Sequence, residues 1–296
     1  MVYDSLGERA LDTANSRGAH YADVRFEDAR TERIEVRNGV VAALLDSTSS
    51  GYGIRALVDG AWGFAAGAEM SPRGVDATAA RAVDIARAGA AIARKRFGQP
   101  PSQTYVDTFA TQMQHDPDDV PLGQRVALLL DAEKLLHVDE HISVGRAWLD
   151  LWHTEKSFLS STGSRLKQSI RQTGSGIAAM AVGDGDAQTR TFPGDIGLYQ
   201  AGGWEVVQSA ALAEHAERIG EEARALLRAK QCPSGEFDVV LGGSQVSLQI
   251  HESCGHPAEL DRVMGWEANF SGVSFLNLDL LGRLQYGSPH VTIVID

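Results

Sequence analysis

The stretch "YADVRFEDARTERIEVRNGVVAALLDSTSSGYGIRALVDGAWGFAAG", residues 21–67, decides the fold. Apolar and polar residues alternate along it in several short runs, the period of strands with one buried face. Asn38-Gly39 and Asp59-Gly60 fall between those runs. Asn-Gly and Asp-Gly are the dipeptides that close two-residue hairpins, so the stretch reads as an antiparallel meander. Upstream, Leu6, Ala10, Leu11 and Ala14 stand at helical spacing within 4–17, and Gly18 stops that helix. Downstream, "SPRGVDATAARAVDIARAGAAIARKR", 71–96, predicts an Ala-rich amphipathic helix. Asp76 or Thr78 would open it, and Lys95 and Arg96 suit its C-terminal dipole end.

A coarse copy of this pattern follows. "HDPDDVPLG", 115–123, interrupts both periodicities and marks a boundary. A helix over 122–138 comes next, then strands across 142–192 with turns at "STGSR" and "GDGD", then a long helix over 202–230. Cys232-Pro233-Ser234-Gly235 punctuates the chain again. Beyond it, "FDVVLGG", 237–243, predicts a short strand, Ser244 an N-cap for a helix from 245, and "HVTIVID", 290–296, a further strand. A buried-type strand at the last residues predicts that the chain is a piece of something longer.

Bulk properties narrow the function. Of 296 residues, 43% are apolar, enough for a sizeable core. The net charge of −12 repels phosphate backbones, so no nucleic-acid partner is expected. The densest basic cluster, "RKRFG" at 94–98, reads as the charged end of a helix. The N-terminus has neither a basic n-region nor an apolar h-region. No run of about 18 apolar residues exists, so no membrane span is expected and the cytoplasm is the default. One Cys232–Cys254 disulfide could form, but no secreted framework is visible.

The chemistry concentrates in "LQIHESCGHPAELDR", 248–262, where His251 and His256 bracket Glu252 and Cys254. On a regular helix, residues four apart lie about 40° apart around the axis and residues five apart about 140°. His251 and His256 can therefore share one ion only if an extra residue is absorbed, as a π-bulge does. Gly255 would ease that distortion. Pro257 should end or kink the helix at 256, because its ring clashes with the carbonyl of Ser253. With both imidazoles engaged, the expected ion is Zn2+, which takes three protein ligands in catalytic sites. Glu252 would then be the general base, taking a proton from water as it attacks a carbonyl. Glu259, Asp261, Glu267 and His290 are candidates for the third ligand; Cys254 is badly spaced for it. Two other readings stay open: Cys254 as a thiol nucleophile with His251 or His256 as its base, or an inert buried thiol among ordinary polar residues.

"HESCGHPAELDR" followed by "NFSG" resembles the TldD/PmbA metallopeptidases, whose signature is H-E-x-x-x-H. "GAHYADVRFEDARTERIEVRNGVV" and "GYGIRALVDGAWGFAAG" are similar to that family's opening, and the likeness runs from about residue 8 onward. The resemblance implies a zinc-dependent peptidase acting on unfolded or small peptides, with His251 and His256 as ligands and Glu252 as base. It implies a third ligand that is a cysteine in a C-terminal part, which no residue here matches, and a homodimer or a heterodimer with a non-catalytic paralogue. Pro257 departs from the glycine that several relatives carry. The expected fold class is thus α+β, helices packed on antiparallel meander sheets, with a C-terminal segment carrying the metal-binding helix. The expected domains are 1–117, 118–231 and 232–296, the last a truncated start of the metallopeptidase domain. The alternative function is a non-catalytic binding or dimerising module, or an inactive fragment without its third ligand.

Overall fold

The computed structural model describes residues 2–93, 96–98, 103–183 and 185–294. The chain divides into two compact units, 1–230 and 231–296.

The first unit is built on the meander. Strands β1 (Tyr21–Arg37), β2 (Val40–Val58) and β3 (Ala61–Gly67) pair antiparallel in sequence order. Both hairpin turns are as short as the sequence predicts. Asn38 and Gly39 have φ of 48° and 75°, and Asp59 and Gly60 have 46° and 77°. Two consecutive positive φ values define the turn whose twist matches the flanking strands, and Asn, Asp and Gly tolerate it best. Strands β4 (Val106–Ala110), β5 (Ile142–Ser160), β6 (Arg165–Gly183), β7 (Asp186–Phe192) and β8 (Leu198–Ala201) complete one eight-stranded sheet. Its main path runs β3-β2-β1-β5-β6-β4, and β7 and β8 also pair with β6. The sheet is antiparallel except where β4 runs parallel to β6. Strands β4 and β8 are short edge pieces of five and four residues whose periodicity is too weak to stand out in the sequence.

Helices α1 (Val2–Ser16), α2 (Pro72–Ile92), α3 (Leu122–Leu136), α4 (Trp204–Ala210) and α5 (Leu212–Leu226) cover the sheet. They form two apolar clusters. Leu6, Ala10, Leu11 and Ala14 of α1 and Val75, Ala79, Ala82 and Val83 of α2 pack with Ala22, Val24 and Phe26 of β1. Leu129, Ala132 and Leu136 of α3 and Ala216, Ile219 and Ala223 of α5 pack with Ile34 and Val36 farther along the same strand. The even positions of β1 thus feed both clusters, and the polar ones between divide them. Asp28 accepts from Tyr3 Oη, Arg30 pairs with Asp46 and Asp118, and Glu32 pairs with Arg125 of α3. On an odd position, Asp23 is fully buried and held by Arg25 and Arg55, because a buried carboxylate needs its charge answered.

Several boundaries differ from expectation, each for a local reason. Ser71, not Asp76 or Thr78, caps α2: its hydroxyl accepts from the Gly74 N–H, with Pro72 in the first turn. Asp76 pairs instead with Arg9 and Thr13, and Thr78 bonds Tyr52. That helix ends at Ile92, so Arg96 lies past it and its guanidinium reaches the Asp59 carbonyl. Arg94 and Lys95 of the basic cluster lie outside the described residues. The long helix over 202–230 is two, broken at Ala211, whose φ of 45° is left-handed.

The second unit contains helix α6 (Gly243–Ile250) followed by short turns. Residues 237–241 form no strand, and neither do 290–294; residues 295–296 are outside the described set. A strand needs a neighbour for its backbone groups, and neither segment has one among the described residues. Val239 and Val240 are accordingly exposed. Gly242, not Ser244, precedes α6, and no side chain caps it.

Candidate metal centre

At the end of α6 the backbone changes register. Residues His251–Gly255 form a π-turn, in which the His256 N–H donates to the His251 carbonyl five residues back. Helical geometry then resumes over His256–Ala258. The helix thus runs only two residues past 256, where Pro257 is expected to end or kink it. Pro257 sits at the start of that short segment, where a residue without an N–H is tolerated.

The extra residue brings the two imidazoles together. Their ring centroids lie 4.4 Å apart with planes at 70°. Glu252 lies between them, one carboxylate oxygen 3.9 Å from His251 Nε2 and the other 4.0 Å from His256 Nε2. One ligand atom from each of the three residues falls within 4.8 Å of the others, a group able to hold a cation. Donors at zinc bond lengths of 2.0–2.1 Å in a tetrahedron stand about 3.3 Å apart. Closing by about 1.5 Å is a rotamer adjustment for side chains as exposed as His251 and Glu252, each at 60%. Two imidazoles with a carboxylate beside them are a donor and base set that suits zinc.

His256 is the more constrained ring. Its Nδ1 lies 2.7 Å from Glu259 Oε1, and Glu259 Oε2 forms an ion pair with Arg262, 3.0 Å from its Nε, without hydrogen-bond geometry. A carboxylate on Nδ1 selects the tautomer whose Nε2 lone pair is free. Glu259, expected as a ligand candidate, thus stands one step behind the histidine. The other candidates are not gathered among the described residues. Asp261 accepts the Arg262 N–H, Glu267 accepts the Ser271 hydroxyl, and the His290 N–H faces Ser288. Cys232 and Cys254 are both free thiols, and Cys254 contributes no atom to the cluster. Two further contacts tie the turn down: Tyr286 Oη donates to the Ser253 carbonyl at 2.7 Å and Ser274 Oγ to the Pro257 carbonyl at 2.7 Å. Sequence spacing carries no sign of either.

Comparison with known proteins places the chain. Residues 22–86 match the PmbA/TldA metallopeptidase domain 1, and residues 115–231 match the PmbA/TldA metallopeptidase central domain. A metalloprotease of Methanothermobacter thermautotrophicus is 29% identical over 293 residues, 99% of this chain and 60% of that protein. A metalloprotease of Methanocaldococcus jannaschii is 24% identical over 278 residues, 93% of this chain and 58% of that protein. The chain therefore spans little more than half the length of these curated relatives. Among solved structures, a protein described as a modulator of DNA gyrase from Thermotoga maritima superposes with a TM-score of 0.57 at 15% identity, covering 79% of this chain and 50% of that one. One of similar description from Bacteroides thetaiotaomicron gives 0.56 at 15%, covering 76% and 49%. At that identity the likeness is one of fold.

Proposed function

The chain belongs to the PmbA/TldD family of metallopeptidases, and from that premise we propose that it serves a zinc-dependent peptidase in which His251 and His256 are ligands and Glu252 is the general base. One observation carries this reading: a π-turn sets two histidines five residues apart in sequence edge to face at 4.4 Å, with a carboxylate between their Nε2 atoms. Such a turn concentrates at functional sites because it is less favourable than the regular helix it interrupts.

His251 and His256 would present Nε2 to the ion, the second ring locked by Glu259 through Nδ1. Zinc, when held, supplies a Lewis acid that polarises a peptide carbonyl and makes water easier to deprotonate. Glu252 accepts that proton during attack on the carbonyl and returns it to the departing amine. The third protein donor usual for catalytic zinc is not in the cluster, and we assign that place to a residue outside it.

The substrates proposed are unfolded or small peptides, and the working form a homodimer or a heterodimer with a non-catalytic paralogue, in the cytoplasm and without direct nucleic-acid contact. Among the described residues no helix is long and apolar enough to cross a membrane. The divisions at 117/118 and 231/232 are part of the same reading, supported by the two matched ranges and, for the second, by the unit boundary at 230/231. Zinc analysis combined with hydrolysis of an unfolded peptide tests the function. Stoichiometric zinc in a chain extended past Asp296, with cleavage lost in Glu252→Gln, supports it. Absence of zinc from both lengths of chain would leave a non-catalytic module.

A further inference from the structure

Pro257 follows His256 directly, and its ring nitrogen carries no hydrogen. In a regular helix the N–H of residue 257 would bond the Ser253 carbonyl. That donor does not exist here. The carbonyl is taken instead by Tyr286 Oη at 2.7 Å, from 33 residues along the chain. The Tyr286 ring is set by Phe275, centroid to centroid 5.5 Å. Ser274, one residue before that phenylalanine, holds the Pro257 carbonyl. The segment 274–286 therefore holds one carbonyl within the π-turn and one just past it.

We propose that Tyr286 is a positioning residue for the histidine pair: its hydroxyl occupies the carbonyl that Pro257 leaves without a donor and so keeps the turn in its five-residue register. Pro257 is the other half of the device, because, having no N–H of its own, it leaves that carbonyl open to the Tyr286 hydroxyl. Relaxation to that regular register would set the rings about 140° apart around the axis. The inference rests on the metal reading above for its purpose, but the register itself is independent of any ion.

Tyr286→Phe in the full chain removes one hydroxyl and keeps the ring against Phe275. The His256 amide, bonded to the His251 carbonyl, reports the register directly. Its hydrogen exchange, measured without metal, should quicken about tenfold while amides of the eight-stranded sheet keep their rates. Cobalt(II), titrated as a spectroscopic stand-in for zinc, should bind about tenfold more weakly, as loss of an outer hydrogen bond does at metal sites. Pro257→Ala returns the missing N–H. It should change little, since Tyr286 still holds Ser253. Unchanged exchange at His256 in Tyr286→Phe overturns the proposal, as does native cobalt affinity in that variant. A wild-type chain that binds no cobalt counts against the metal reading alone, and the exchange rates still decide the register.

Discussion

Replacing Glu259 should separate a positioned ligand from a merely nearby histidine. Its Oε1 lies 2.7 Å from His256 Nδ1 and its Oε2 lies 3.0 Å from Arg262 Nε, so one carboxylate both selects the ring tautomer and is itself steered. Loss of such outer partners costs about 10- to 100-fold in metal affinity. Glu259 is 43% exposed, and water will replace part of what it supplies, which puts Glu259→Ala near the lower limit, about tenfold or ~1.4 kcal/mol. Glu259→Gln keeps a carbonyl oxygen able to accept from Nδ1 but loses the charge, so it should fall between, about threefold weaker than wild type. The assay is competition for zinc against a chromogenic chelator at constant pH, with far-ultraviolet circular dichroism as a check on folding. The order wild type, Gln, Ala is the signature of a tautomer lock. Equal affinity in all three, or a weaker Gln than Ala variant, would refute the argument that Glu259 orients His256.

Other consequences follow from the same geometry. Glu252→Gln should retain zinc to within a few-fold and lose about 10²- to 10⁴-fold in peptide hydrolysis, the range for removing a general base; equal loss of metal would mean that Glu252 is a ligand instead. A Cβ on Gly220 of α5 would stand 2.2 Å from the Leu136 carbonyl of α3, so Gly220→Ala should destabilise the first unit by about 1–3 kcal/mol, read as a lower urea midpoint with unchanged slope. Partial burial raises the Glu35 carboxyl, but hydrogen bonds from Arg146 and Arg33 outweigh it and hold it below the usual carboxylate range. A depressed folded value means stabilisation that is present above the unfolded carboxylate range and lost as pH falls through the folded one. Glu35→Gln should therefore narrow the stability gap between neutral and acidic solution. Parallel pH curves for the two proteins would contradict this. The Tyr3 hydroxyl, donating to Asp28, is pushed up to about 12, which favours its neutral form. Its stabilisation is full below the ordinary tyrosine range and is lost as pH rises toward 12; Tyr3→Phe should remove that alkaline loss in a thermal-melt series.

Much of this protein was legible in one dimension because the deciding signals are local. The meander follows from alternation plus Asn38-Gly39 and Asp59-Gly60, since only a few residue types accept two successive positive φ values. The stripes of α1, α2 and α3 follow from the 3.6-residue period. Even the π-turn could be demanded in advance, because two histidines five apart cannot meet on a regular helix. Other features depended on partners distant in sequence. Nothing local to Ala211 announces a helix break, and residues 237–241 have strand composition but no neighbour among the described residues to complete their hydrogen bonds. The pairing of β1 with β5 makes one sheet of two meanders that sequence presents as separate, and its energy comes from backbone bonds that say nothing of side-chain order. Sequence alone also could not tell Glu259 the ligand from Glu259 the brace behind His256, nor find Tyr286 at the Ser253 carbonyl. Local periodicity and turn chemistry determined which elements form; which donor meets which acceptor across 33 residues was decided only when the chain closed on itself.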